Sequence, residues 1–244
     1  MRRTDNANVP PIGTSDLHLA AHLFEARRLT QARELRGISK AELAERIGKS
    51  PAAISQFEGA GLASCKPDPK TLASIAFALG LPLAFFSRKQ SAKSLDVSHC
   101  HFRSLRATSQ RNRRKLVAQG TILSDLAAFL EEHVDLPSER VSKLVRTVHS
   151  VEDIEQTALD VRRAWNLGLG PIPNVTRLLE GFGIIVVEIA EGCSDVDAFS
   201  TWSDGRPFVF LVMDKGSASR TRFDAGHELG HLVMHTDVSP GDAD

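Results

Sequence analysis

Five residues, His227-Glu-Leu-Gly-His231, restrict this chain's fold more than any other stretch. On a helix, residues four apart lie on one face. His227 and His231 can therefore aim a ring nitrogen each at a single cation. Glu228, turned from them by about 100°, can reach a water on that cation. Two imidazoles that hold a metal, and a carboxylate that takes a proton from its water, are the parts of metal-assisted hydrolysis. The segment must then be helical, with its remaining faces buried. Ser217 or Ser219 suits the helix cap, and Asp224 suits the early turns, where negative charge is favoured. Phe223, Leu229, Leu232 and Val233 supply apolar positions for burial. The run Pro207-Phe-Val-Phe-Leu-Val-Met213 reads as a strand just ahead of it. An ordinary amphipathic helix with surface histidines has the same spacing, but the preceding strand favours the metal site.

A catalytic zinc takes three protein ligands and keeps one open position. His235 lies about 6 Å beyond His231 along an unbroken helix, at 1.5 Å per residue, and cannot close the same sphere. The extended motif that adds a third histidine needs glycine three residues after the second, and Met234 stands there. Asp237, Asp242 and Asp244 remain. The expectation is a zinc site held by His227 and His231 without a fixed third ligand, and hence weak.

Charge is divided unevenly. The net charge is zero, but residues 1–150 carry 23 Lys and Arg against 14 Asp and Glu, while residues 151–244 carry 7 against 16. A basic first part and an acidic second part point to a nucleic-acid partner for the first and a separate task for the second. Cysteines 65, 100 and 193 are too few and too scattered for a disulfide framework, which argues for a reducing compartment. His99-Cys100-His101 is a poor metal cluster, because adjacent side chains point apart. The first residues resemble no secretory signal, and no apolar run is long enough for a membrane span. The expected location is the cytoplasm, with no membrane partner.

Residues 1–22, with Pro10-Pro11 and Gly13, read as a flexible lead. From Leu23 the spacing of Phe24, Leu29, Ala32 and Leu35 predicts a helix that ends at Arg36-Gly37. Ser39 and Glu42 form a capping box for Lys40–Ile47, closed by Gly48. Ser50 and Pro51 start a third helix to Glu58. Pro69–Leu79 is a fourth, closed by Gly80, and residues 81–86 can add a short fifth. The second and third helices, joined by a tight turn containing glycine, make a helix-turn-helix with Leu43, Ala44, Ile47, Ile54 and Phe57 inside. The third helix would enter the major groove and present Ser50, Ala52, Ser55 and Gln56 to the bases. Gln56 can bond adenine with both ends of its amide, and Lys40 and Lys49 suit phosphates.

Residues 23–87 resemble the lambda-repressor-like (XRE) helix-turn-helix family, through Ser39–Gly59 and Lys66-Pro-Asp-Pro-Lys-Thr-Leu72. That resemblance implies operator binding as a homodimer.

Residues 88–150 read as a linker and helical bridge. It carries the basic cluster Arg111–Lys115 and a helical run from Leu116 to Leu130 that stops at Leu136-Pro137. Then come a helix near 154–165, a turn at 168–173, a helix capped by Asn174 and a strand at 183–189. Strands at 199–202 and 207–213 are joined at Asp204-Gly205 as a hairpin.

Residues 151–244 resemble the ImmA/IrrE metallopeptidase family, through Trp165–Pro173, these strands and Arg222–His231. The resemblance implies an α+β zincin-like domain, with His227 and His231 as zinc ligands and Glu228 as base. It also implies a further acidic ligand on a later helix, before which this chain stops, so the domain is expected to be truncated. The fold class is thus mixed: an all-α helix-turn-helix domain, a helical linker and an incomplete α+β domain. The function expected is a sequence-specific DNA-binding transcriptional regulator with a zinc-metallopeptidase-like domain. The alternatives are an active zinc protease that cleaves a regulatory protein, and a regulator whose second domain is a vestigial ligand sensor.

Overall fold

Local chemistry fixes most element ends in this computed structural model, which describes residues 14–59, 65–89, 109–189, 198–212 and 217–234. The chain divides into two compact units, Met1–Gln90 and Ser91–Asp244.

The first unit is all helical: α1 (Thr14–His22), α2 (Ala26–Leu35), α3 (Lys40–Ile47), α4 (Pro51–Glu58), α5 (Pro69–Leu79) and α6 (Leu83–Ser87). Both bonds of the capping box at Ser39 and Glu42 form. Ser50 accepts from the Ala53 amide at 3.2 Å, and Asp68 from the Thr71 amide at 3.0 Å. Each cap satisfies an amide that the helix start would leave open. Gly48 closes α3 with φ 65° and sets up the turn into α4. Leu29, Leu43, Ile54, Leu72, Ile75 and Phe86 are the fully buried centre, and Ile47 packs against it from the margin.

The lead read as flexible over residues 1–22 contains α1 from Thr14 onward, and this corrects that reading. Its Ala20 and Ala21 are buried with Phe24, and the helix packs on α5 and α6. Alanine is both a good helix former and small enough for close approach, so a weak apolar signal still gives a docked helix.

In the second unit come α7 (Gln110–Glu131), α8 (Val151–Ala164), α9 (Val175–Gly181), β1 (Ile185–Ile189), β2 (Ala198–Ser203), β3 (Arg206–Val212) and α10 (Ala218–Met234). The sheet order is β1-β3-β2, with β1 parallel and β2 antiparallel to β3. Asp204 and Gly205, with φ 51° and 77°, turn the expected hairpin. Strand alternation then sorts the core into two layers. Phe199, Phe208 and Phe210 face α7 and its Leu116 and Ala127. Val209 and Leu211 face α8, α9 and α10, through Val161, Leu179, Ala225, Leu232 and Val233. Within the segment read as a bridge, α7 is thus part of this unit's own core. The loop after it is also held there: the Arg146 amide donates to Val233 O at 2.8 Å. At Gly183, φ 85°, an added Cβ would lie 2.5 Å from the Ser138 carbonyl oxygen, so only glycine admits the loop so close.

The mixed architecture agrees with the expected fold class. Among the described residues no helix is long and apolar enough to cross a membrane.

Candidate metal centre and nucleic-acid interface

Helix α10 lies against β2 and β3 and turns Ala225, Glu228 and Leu232 toward the sheet. Spacings of three and four keep these on one face. His227 and His231 fall on the flank and are half-buried. Their Nε2 atoms are 3.0 Å apart. Two nitrogens on one tetrahedral zinc, each at 2.0–2.1 Å, would sit about 3.3 Å apart, so the pair fits a shared cation with a shift of a few tenths of an ångström. One ligand atom from each of His227, Glu228 and His231 lies within 4.8 Å of the others. Among the described residues this is the one group with metal-holding chemistry. His235, Asp237, Asp242 and Asp244, considered above as third ligands, lie outside the described residues, as does His99-Cys100-His101.

Glu228 is 3% exposed, and its Oε2 accepts a hydrogen bond from Ser200 Oγ at 2.7 Å. Burial pushes its carboxyl up from 4.5 to about 8. The Ser200 hydroxyl opposes that rise and the nearby Asp224 charge adds to it. A carboxyl with this value exchanges protons near neutral pH, as a general base must. Ser200 was not foreseen from the sequence. Its signal is the strand period: Ser200 lies opposite Val209 in the ladder, on the face that meets α10. Phe223, expected to be buried, is instead 71% exposed and stacks loosely on His227, ring centres 6.1 Å apart. It sits about 100° or more from the Ala225–Leu232 stripe, beyond the reach of the sheet.

In the first unit, Lys49, Ser50, Ala52, Ser55 and Gln56 are all exposed, on α4 and in the turn before it. The side chains of Ser50, Ala52 and Ser55 are small. Gln56 projects from the same helix, with Cys65 Sγ 3.9 Å from its Oε1. Lys40 differs from the rest. Its Nζ lies 3.4 Å from Glu58 Oε2 and donates to Ser55 Oγ at 3.3 Å, so it is held on the domain surface rather than extended into solvent.

The comparisons with known proteins agree with both halves. Residues 29–86 match the helix-turn-helix family, and residues 179–242 match the family described as the IrrE N-terminal-like domain. No curated protein matches the chain, and no solved structure does. Residues 29–86 are thus similar to helix-turn-helix domains of DNA-binding type, and residues 179–242 to a peptidase-like domain of a family that suggests a metal.

Proposed function

We propose that this chain is a DNA-binding transcriptional regulator whose second domain carries a zinc centre. Its ligands are His227 and His231, and its proton-transfer group is Glu228. The observation that carries the reading is the convergence of two imidazole Nε2 atoms, 3.0 Å apart, beside a buried carboxyl of raised pKa. Zinc bound there supplies a polarised, more acidic water. The α10 helix fixes the spacing of the two rings, and the sheet fixes the depth of Glu228. The Ser200 hydroxyl holds one carboxyl oxygen, leaving the other as the atom that takes or returns a proton.

Zinc titration by calorimetry tests the centre. His231→Ala is expected to weaken zinc by more than the roughly 10–100-fold that loss of an outer partner costs. Equal affinity in the two proteins would remove this pair as the metal site. Glu228→Gln should cost far less zinc affinity than His231→Ala does, because the histidines do the holding, and should abolish any peptide-bond cleavage the protein performs.

For the first domain, α4 enters the major groove, Ser50, Ala52, Ser55 and Gln56 meet base edges, and Lys40 and Lys49 meet phosphates. Two copies bind a two-fold operator, since two-fold sites match two-fold proteins. Affinity for duplex DNA is expected to fall as salt rises, by counterion release. Gln56→Ala is expected to cost about 1–3 kcal/mol of discrimination at one base pair, read from binding to a randomised operator library. Salt-independent binding, or an unchanged preference, would contradict these assignments. The mass of the protein–DNA complex by light scattering tests the dimer.

A further inference from the structure

The basic run Arg111-Asn-Arg-Arg-Lys115 opens α7 in the second unit, and the metal centre makes no use of it. Four of its five residues are basic, a density that no other stretch of the chain reaches. Arg111, Arg114 and Lys115 stand three and four residues apart, so they share a face of the helix. Arg111 and Arg114 are exposed and Lys115 is half-buried. Arg114 and Lys115 have no carboxylate partner among the described residues.

Helix stability gives these cations no reason to be there. A helix start carries partial positive charge and favours acidic residues, and a helix end favours basic ones. Helix α8 of the same unit follows that rule, with Glu152 and Asp153 in its first turn and Arg162 and Arg163 in its last. Helix α7 reverses it: its first turn has no acidic residue, its last turn has no basic one, and it ends at Glu131. Like charges three and four apart add mutual repulsion. Local rules are broken in this way at functional sites.

The second observation is where the remaining charge lies. After Lys115, α7 carries Asp125 and Glu131 and no lysine or arginine. Residues 151–244 carry 7 Lys and Arg against 16 Asp and Glu. A concentrated positive face on an otherwise acidic background selects an anionic partner. Three cations exceed the charge of one phosphate monoester, about −1.5 to −2, and suit a polyanion. Arg111 to Lys115 spans about 6 Å of helix at 1.5 Å per residue. One DNA strand, rising about 3.4 Å per phosphate, presents about two phosphates over that length.

We propose that the face formed by Arg111, Arg114 and Lys115 makes a second, sequence-independent contact with duplex DNA, through its phosphates and apart from the base-reading α4. The choice of DNA rests on the reading of the first unit as DNA-binding, and the test separates the two.

The test compares the full chain with the variant Arg114→Gln with Lys115→Gln. Duplex binding is measured by fluorescence anisotropy from 50 to 200 mM salt, and base preference on a randomised duplex library. Each phosphate contact contributes about 0.9 to the slope of log affinity against log salt. The variant is expected to bind more weakly at 50 mM, to lose about 1–2 from that slope and to keep the wild-type base preference. The gap between the two proteins then narrows by about four- to twelvefold across this range. The urea midpoint of the free variant at low salt, followed by tryptophan fluorescence, is expected to equal or exceed that of wild type, because repulsion has been removed. Equal slopes or a changed base preference would overturn the proposal. So would a lowered midpoint, which would make these residues structural. Failure of the first-unit reading looks different: base preference is then absent in wild type or survives Gln56→Ala, while the slope of the double variant still reports the α7 face. A wild type that binds no duplex at 50 mM would overturn both.

Discussion

Glu228→Gln is expected to stabilise the metal-free protein by about 3–5 kcal/mol at pH 9 and to change it little at pH 5. The cause is burial. Folding moves this carboxyl from water to a place 3% exposed, and its pKa rises from 4.5 to about 8. The folded state therefore binds the proton more tightly than the unfolded chain does. Below pH 4.5 both states hold the proton and the group costs nothing. Between 4.5 and 8 the unfolded chain loses its proton first, so stability falls as pH rises, and above 8 the full penalty applies. Each tenfold difference in proton affinity between the two states is worth about 1.4 kcal/mol, which sets the upper end of the range. Glutamine has the same shape, never ionises and still accepts from Ser200 Oγ, so the change removes the charge and little else. Urea unfolding followed by tryptophan fluorescence measures this directly, because both tryptophans, Trp165 and Trp202, lie in the second unit. Added zinc is expected to flatten the wild-type pH dependence, since a cation beside the carboxyl favours its ionised form. Parallel pH profiles for wild type and variant would show that the carboxyl is not held in the buried state described.

Features that rest on bonds spanning three or four residues were legible in the sequence. Ser39 with Glu42, Ser50 with Pro51, and Asn174 before α9 all form the caps that their spacing predicts. The histidine pair converges for the same reason: a helix alone sets that geometry. What the sequence hid depends on distant partners. Ser200 is 28 residues from Glu228, and only the sheet order brings it under α10. Phe223 carries the apolar character of a core residue, but the helix phase that buries Glu228 turns it to solvent. Leu116 and Ala127 show a helical period that fits a bridge as well as a core, and the three phenylalanines opposite them decide it.

Arg33→Ala is expected to destabilise the first unit by about 3–5 kcal/mol, the cost of removing one partner from a buried ion pair. Arg33 in α2 and Glu58 at the end of α4 have side chains 7% and 4% exposed, and Arg33 Nε donates to Glu58 Oε1 at 2.6 Å. Arg33 Nη1 also donates to the Ile38 carbonyl at 2.9 Å, so the same guanidinium ties the α2–α3 turn to α4. Without it, the Glu58 carboxylate keeps, among the described residues, only Lys40 at 3.4 Å. Replacing both partners with apolar residues, Arg33→Met with Glu58→Leu, is expected to recover most of the loss, because the penalty comes from the unpaired charge. Helical circular dichroism reports both units and tryptophan fluorescence the second alone, so an earlier loss of helix with an unshifted fluorescence transition marks the first unit. The pair also bears on DNA binding. Glu58 and Ser55 hold Lys40 on the surface, so a phosphate must compete for it, whereas Lys49 is exposed. Lys49→Ala is therefore expected to weaken duplex binding more than Lys40→Ala at the same salt. Glu58→Gln is expected to narrow that difference by loosening Lys40. A Lys40→Ala effect larger than that of Lys49→Ala would mean that the lysine leaves Glu58 on DNA and that the ion pair is rebuilt in the complex.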